Sequence, residues 1–454
     1  MILLTRAVAR DFRALFARCV AGRPRGPAPP VVIQVKGGTR TLAATTAAGV
    51  TLTHTSPALK ESDDLLVLPA AVLAEVEGGT EETVTLDRSS KLRGVVKWPG
   101  GSKPRTLPVE LILPGKQHEL LPPPALSVTA SKLLTALHEC GRTAAKESGR
   151  FALAKVQVQG KHGRVVGTDG KVALLWNGFT FAFADDVLVP ALSVFGSKPL
   201  ARITDVKLGR TAAHLVVAIG PWSVWLPTDT KAKYPDVAGV VPRHAPTAVR
   251  IDPSDAAALL PVLSGLPGGE HELRPVTLDA DRIVRVRGRC ESGETTGETR
   301  EVLLNRSTSS GPAVRVVLDR RVLARAVGLG CRTLRLTPDK AVVLEGTDVT
   351  LLAAPLDPAL VAPPVATDPE PPTPSTNVER KSPMKPETNG HVPPRGDPAD
   401  PLELAEELRT ALADAAGIAA RLVAALRQGK KDKKVLASVL SNLKQLNLTE
   451  GGTR

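Results

Sequence analysis

The spacings that would signal enzyme chemistry are missing from this sequence. Its eight histidines include no HxxxH or HExxH pair, and neither a GxxxxGK[ST] phosphate loop nor a GxSxG elbow occurs. Cys19, Cys140, Cys290 and Cys331 lie far apart with no CxxC pair, which argues against a zinc site or a disulfide framework. Asp169, in a Thr-Asp-Gly string, is the one carboxylate that invites an acid role, but an Asp before Gly is ordinary turn chemistry. The expectation is a protein that is no enzyme and needs neither metal nor cofactor.

The chemistry that remains is cationic. Lys and Arg number 59 against 46 Asp and Glu, giving a net charge of +13 and a pI near 9.7, which favours a polyanionic partner such as nucleic acid. A membrane surface would satisfy the same arithmetic. No apolar run of about 18 residues exists, however, and Arg6, Arg10 and Asp11 stand where a signal peptide needs apolar residues. The chain therefore reads as soluble and cytoplasmic, with no membrane partner. With aromatic residues at 3%, base stacking on single strands is a poor option, and backbone electrostatics has to carry recognition.

The cations fall on helix faces. In TRAVARDFRALFARC, Val8, Phe12, Leu15 and Cys19 form an apolar stripe with Arg6, Arg10 and Arg13 opposite. In SKLLTALHECGRTAAKE, Leu133, Leu137, Cys140 and Ala144 repeat the spacing, with Lys132, Arg142 and Lys146 opposite. Near residue 320, Val322, Leu323, Ala326 and Val327 are apolar while Arg321 and Arg325 project elsewhere. Two further helices, PAAVLAEVEGG and IDPSDAAALL, are neutral or acidic. Such faces would touch phosphates without reading bases, so binding would be weak, salt-sensitive and independent of sequence.

The elements that carry these faces recur. At 454 residues the chain is too long for one core and suits about three domains. A helix-and-strand module repeats three times: LAATTAAGVTL and LVLPAAVL in the first copy correspond to VVGTDGKVALL and VLVPALSV in the second. Period-two alternation with KGG, QGKHG and TDG turns predicts antiparallel sheets. The expected boundaries are 1–122, 123–245 and 246–358. Residues 359–401, rich in Pro, Thr, Glu and Asp, read as a disordered linker, and 402–448 as a helical hairpin.

Several strings together resemble the bacterial DNA polymerase III beta-subunit sliding clamps over about residues 1–358. VVGTDGKVAL resembles the family's Thr-Asp-Gly turn, GRFAL its entry into the middle domain, and KYPDVAGVVP the segment leading into its third domain. Leu352, Ala354, Pro355 and Leu356 stand where the family ends in Met-Pro-Met-Arg-Leu, and Lys171–Ala173 replace its His-Arg-Leu.

The resemblance implies an α+β fold of three tandem clamp domains, half of a closed homodimeric ring with its helices facing double-stranded DNA. It adds Arg25, Arg150 and Phe151 to the DNA-facing set. It also implies a partner-peptide pocket at Leu153, Thr168, Gly170, Lys171, Val172, Pro235, Val240, Leu352, Ala354, Pro355 and Leu356. The implied partners are the DNA polymerase III alpha subunit and the clamp loader, and the implied function is a processivity factor. The alternative is a clamp-derived scaffold or regulator without a replicative role. Gln445–Leu448 resembles the short peptide that such pockets bind.

Overall fold

Thr5 ends an extended segment, and its hydroxyl accepts from the Val8 N–H at 3.2 Å, capping the first helix. In the computed structural model the chain is described over residues 1–364, apart from 23–25, 60, 101–102, 148–150, 243, 291–296 and 339. Arg25, Arg150, most of the expected linker, the expected hairpin and Gln445–Leu448 lie outside the described residues.

The first module runs β1 (Ile2–Thr5), α1 (Arg6–Arg18), β2 (Val31–Lys36), β3 (Thr39–Thr45), β4 (Thr51–Pro57), β5 (Asp64–Leu68), α2 (Ala71–Val76), β6 (Thr83–Arg88), β7 (Arg93–Trp98) and β8 (Arg105–Glu110). The second repeats the order as β9 (Leu126–Val128), α3 (Lys132–Thr143), β10 (Lys155–Gln159), β11 (Arg164–Thr168), β12 (Val172–Trp176), β13 (Asp186–Pro190), α4 (Lys198–Ala201), β14 (Val206–Arg210), β15 (His214–Ile219) and β16 (Trp222–Pro227). A connector carrying α5 (Val237–Val240) leads to the third. This comprises β17 (Thr247–Arg250), α6 (Pro253–Leu263), β18 (Pro275–Ala280), β19 (Val284–Arg289), β20 (Thr299–Leu304), β21 (Thr308–Ser310), β22 (Val314–Asp319), α7 (Arg320–Gly328), β23 (Thr333–Leu336), β24 (Val342–Glu345) and β25 (Val349–Ala353).

Every module builds two antiparallel sheets by one rule. The first and last three strands form one sheet, as in β1-β6-β7-β8, and the middle four form the other, as in β5-β2-β3-β4; the third module adds a ninth strand, β21, which pairs with β17. Neighbouring modules then fuse edge to edge. β4 pairs with β16, Leu52 opposite Val224, and β12 pairs with β25, Leu174 opposite Leu351. Two long sheets of eight and nine strands result, flanked by four-stranded sheets whose outermost strands are β8 and β20. Backbone ladders satisfy the seams, so modules are joined by main-chain hydrogen bonds as well as by side chains.

Three sequence readings need adjustment. On α1 the buried residues are Ala7, Ala9, Phe12 and Leu15, with Cys19 closing the stripe, while Val8 is only half-buried. The helix packs on β1, β4 and α2 together, which rotates its inner face. Ala144 is the extended residue after α3 and no longer part of its stripe. Residues 359–362, expected as the start of a disordered linker, are ordered against the third module. A 3-10 turn at Pro358–Leu360 packs against β22, and the buried Ala362 donates its N–H to the Thr277 hydroxyl at 2.8 Å.

Candidate DNA-facing surface and partner pocket

The helices of the three modules form one connected row. α2 packs on α1, and α1 meets the 3-10 turn Val194–Gly196 of the second module, where the Ser193 hydroxyl donates to the Arg18 carbonyl at 3.4 Å. That turn packs on α3. Across the next junction Arg325 of α7 reaches Glu139 of α3, Nε to Oε2 at 2.8 Å, and also donates to the Glu139 carbonyl. α6 packs on α7 and ends the row. α3 lies close to its sheet because Gly167 of β11 has no side chain: a Cβ there would stand 2.1 Å from the Cys140 carbonyl oxygen.

The cations expected on this row are present, but most face a carboxylate. Arg6 pairs with Glu82 at 2.8 Å and also donates to the Val76 and Glu77 carbonyls, so it is half-buried at the end of α2. Its hydrogen bonds hold the Glu82 carboxyl below the usual carboxylate range. Arg13 pairs with Glu77, Arg10 with Asp11 at 2.8 Å, Lys132 with Asp348 at 2.8 Å, Arg142 with Glu139 at 3.0 Å, and Arg321 with Asp319 at 2.5 Å. Lys146 is exposed with no ion pair among the described residues. Phe151 is half-buried, with its carbonyl accepting from Leu153 N at 2.8 Å. Exposed ion pairs are worth roughly 0–1 kcal/mol, so a phosphate can compete for Arg10, Arg142 and Arg321. Arg325 is different: at 16% side-chain exposure it is committed to the contact between modules.

Most of the residues expected to line a partner pocket gather at the β12–β25 seam. The Thr168 hydroxyl donates to the Val172 carbonyl at 2.7 Å and accepts from Gly170 N at 3.0 Å. The Asp169 carboxylate accepts from Lys171 N and Val172 N at 2.8 and 2.7 Å, confirming a turn role for it. Leu153 packs within reach of Gly170, whose φ of +91° suits glycine. The chain end joins them, because Ala354 N donates to the Lys171 carbonyl at 2.9 Å and Leu352 is buried. Pro235 is half-buried in the connector, and Val240 is 65% exposed beyond it. Pro355 is half-buried, while Leu356 turns away, its N–H going to the Val317 carbonyl of β22 at 2.8 Å.

What sequence reading missed is the apolar layer behind these residues. Val166, Ala173, Leu175, Val237, Val343 and Leu352 form a cluster on the sheet face opposite the main core, with Tyr234, Ala238 and Val241 against it. Burial pushes the Tyr234 phenol above its ordinary range. The run VALLW carried the signal, since a strand apolar at every position is covered on both faces. At the β4–β16 seam the equivalent face carries an open groove of about 1160 Å³ beside residues 116–126, with Trp225 and several threonines on its wall.

No metal-holding group of three or more ligands and no helix long and apolar enough to cross a membrane occurs among the described residues. No protein-family model matches the chain, and no curated protein matches it by sequence. Solved structures do. The sliding clamp (DNA polymerase III subunit beta) of Pseudomonas aeruginosa matches with a TM-score of 0.62 at 16% identity, covering 78% of this chain and 99% of that one. The beta subunit of Thermotoga maritima matches at 0.61 and 14%, and a putative beta subunit from Eubacterium rectale at 0.62 and 13%, each covering 78% and 99%. The chain thus has the sliding-clamp fold. The solved structures that share this three-module form of the fold are bacterial DNA polymerase III beta subunits.

Proposed function

We propose that this chain is a sliding clamp: two copies close head to tail into a homodimeric ring around duplex DNA and tether polymerase, clamp loader and other clamp-binding proteins. The observation that carries the reading is the seam rule. Inside the chain, the last strand of a middle sheet pairs with the last strand of the next module's outer sheet, β4 with β16 and β12 with β25. The same rule leaves β20 of the third module and β8 of the first as matching outer edges, so a second copy repeats the joint and the repetition closes by symmetry. The DNA-facing wall is then the connected helix row, with Arg10, Arg142, Lys146 and Arg321 its most available cations. Arg25, Arg150 and Phe151 belong to it by resemblance. The protein acts as a processivity factor in the cytoplasm, without catalysis and without a cofactor. The domain boundaries remain 122/123 and 245/246.

The test is topological. After loading, the protein should stay on a closed circular plasmid, leave when the plasmid is linearised, and show the solution mass of a dimer. Equal retention on both DNAs, or a monomer at micromolar concentration, would overturn the ring.

A clamp-derived scaffold is the second reading, and the carboxylates facing the helix-row cations favour it, together with Lys171 and Val172 in place of the family's His-Arg. Stimulation of primer extension separates the two. A replicative clamp lengthens the products of its cognate polymerase, and a scaffold does not.

A further inference from the structure

The sheet β22-β18-β19-β20 is covered on both faces. Val276, Leu278, Val284, Val286 and Leu318 point into the core, whereas Thr277, Asp279, Arg287 and Val317 are buried on the opposite side. The segment from Leu356 to Ala362 crosses that outer side, held by the Val317 carbonyl and the Thr277 hydroxyl. Beyond it lies a cavity of about 410 Å³ whose wall includes Asp279, Arg285, Arg287, Glu301, Arg315 and, at its rim, Pro364.

Its charges are unevenly matched. Asp279 is shared by two guanidiniums: Arg287 donates to one oxygen, and Arg315 Nε to the other at 2.6 Å. Arg287 is 1% exposed, yet its Nε has no hydrogen-bond partner. Among the described residues Arg285, half-buried on the same face of β19, has no ion pair, and Glu301 across from Arg287 takes neither cation. Asp281 is exposed at the edge. Two guanidiniums on one face of β19, one of them with an unpartnered Nε, line this half-enclosed space, and guanidinium N–H groups are the donors that suit a planar or tetrahedral oxyanion.

We propose that this cavity is an oxyanion-binding site of the third module, taking a carboxylate or phosphate group on Arg285 and Arg287, with Arg315 supporting through Asp279. Two sources supply that chemistry. One is free inorganic phosphate. The other is the chain itself, because Asp368 follows Pro364 by four residues, a reach of up to roughly 14 Å. Neither source depends on ring closure, so the site stands or falls separately from the clamp reading.

The test uses the full-length protein and inorganic phosphate, followed by ³¹P NMR at constant ionic strength. Saturable binding is expected, at least tenfold weaker in Arg285→Gln and tighter in Glu301→Gln, with circular dichroism unchanged because neither side chain has an ion pair to lose. Binding that emerges only in Asp368→Asn assigns the site to the chain's own carboxylate. Absence of saturable binding in all of these proteins, or saturable binding of equal strength in wild type and Arg285→Gln, overturns the proposal.

Discussion

His54 sits on β4 at the first seam, 8% exposed, its ring centroid 4.4 Å from that of Trp222 on β16. Burial depresses its pKa to about 4, reinforced by Arg40 and opposed by Asp11. A histidine that folds neutral but protonates readily when unfolded contributes stability above its unfolded pKa of 6.5, and that contribution is lost as pH falls towards 4. Urea unfolding at about pH 7.5 and about pH 5 should show wild type losing about 2 kcal/mol more than His54→Phe, which keeps a ring on Trp222 but does not titrate. Equal losses would show that His54 is already solvated in the fold. Most of this was hidden in the sequence, where His54 is one polar residue in a threonine-rich strand; the fused seam is what buries it.

At the scale of elements, α3 is the joint between the second and third modules. Its Gly167 contact leaves no room for a methyl group, so Gly167→Ala must displace helix from sheet, and a loss of about 2–3 kcal/mol in unfolding free energy is expected. Glu139 accepts from both Arg142 and Arg325 while itself 10% exposed at the side chain. Glu139→Gln should cost about 3 kcal/mol by leaving a half-buried guanidinium short of its partner, and hydrogen exchange should rise in α7 more than in α1. An unchanged α7 would mean that the main-chain seam, not the ion pair, holds the modules. The helices and their polar faces were legible from spacing, because amphipathic period reports burial. Which arginines are spent on carboxylates was not, since Glu82 and Asp348 are distant in sequence from Arg6 and Lys132.

For the whole molecule the open question is the outer pair of edges. Leu111 N donates to Leu92 O at 2.9 Å, which places odd-numbered positions of β8 on the β7 side and turns Thr106, Pro108 and Glu110 outward. Pro108 has no N–H to give, so a seam to β20 of a second copy has one ladder donor fewer than an unbroken strand would offer. Under the clamp reading the ring therefore opens at this seam before either internal one. Thr106→Pro, which removes a second outward donor, should weaken self-association at least tenfold in analytical ultracentrifugation while leaving the monomer's melting curve intact. If DNA is bound by the helix row, Arg10→Ala, Arg142→Ala and Arg321→Ala combined should flatten the log–log salt dependence of affinity by roughly 2–3, at about 0.9 per lost phosphate contact.

The sequence by itself determined the module count, the helix faces and the antiparallel strands, because each of these is a periodicity and periodicity survives in one dimension. It also placed Thr168, Asp169 and Gly170 in a turn, since turn chemistry is local. The tertiary structure alone decided the fusion of sheets across modules, the cavity around Arg287, and the pairing of cations with carboxylates. Those depend on residues far apart in the chain meeting across a seam. Pairing energies of that kind come from proximity in space, which no local spacing encodes.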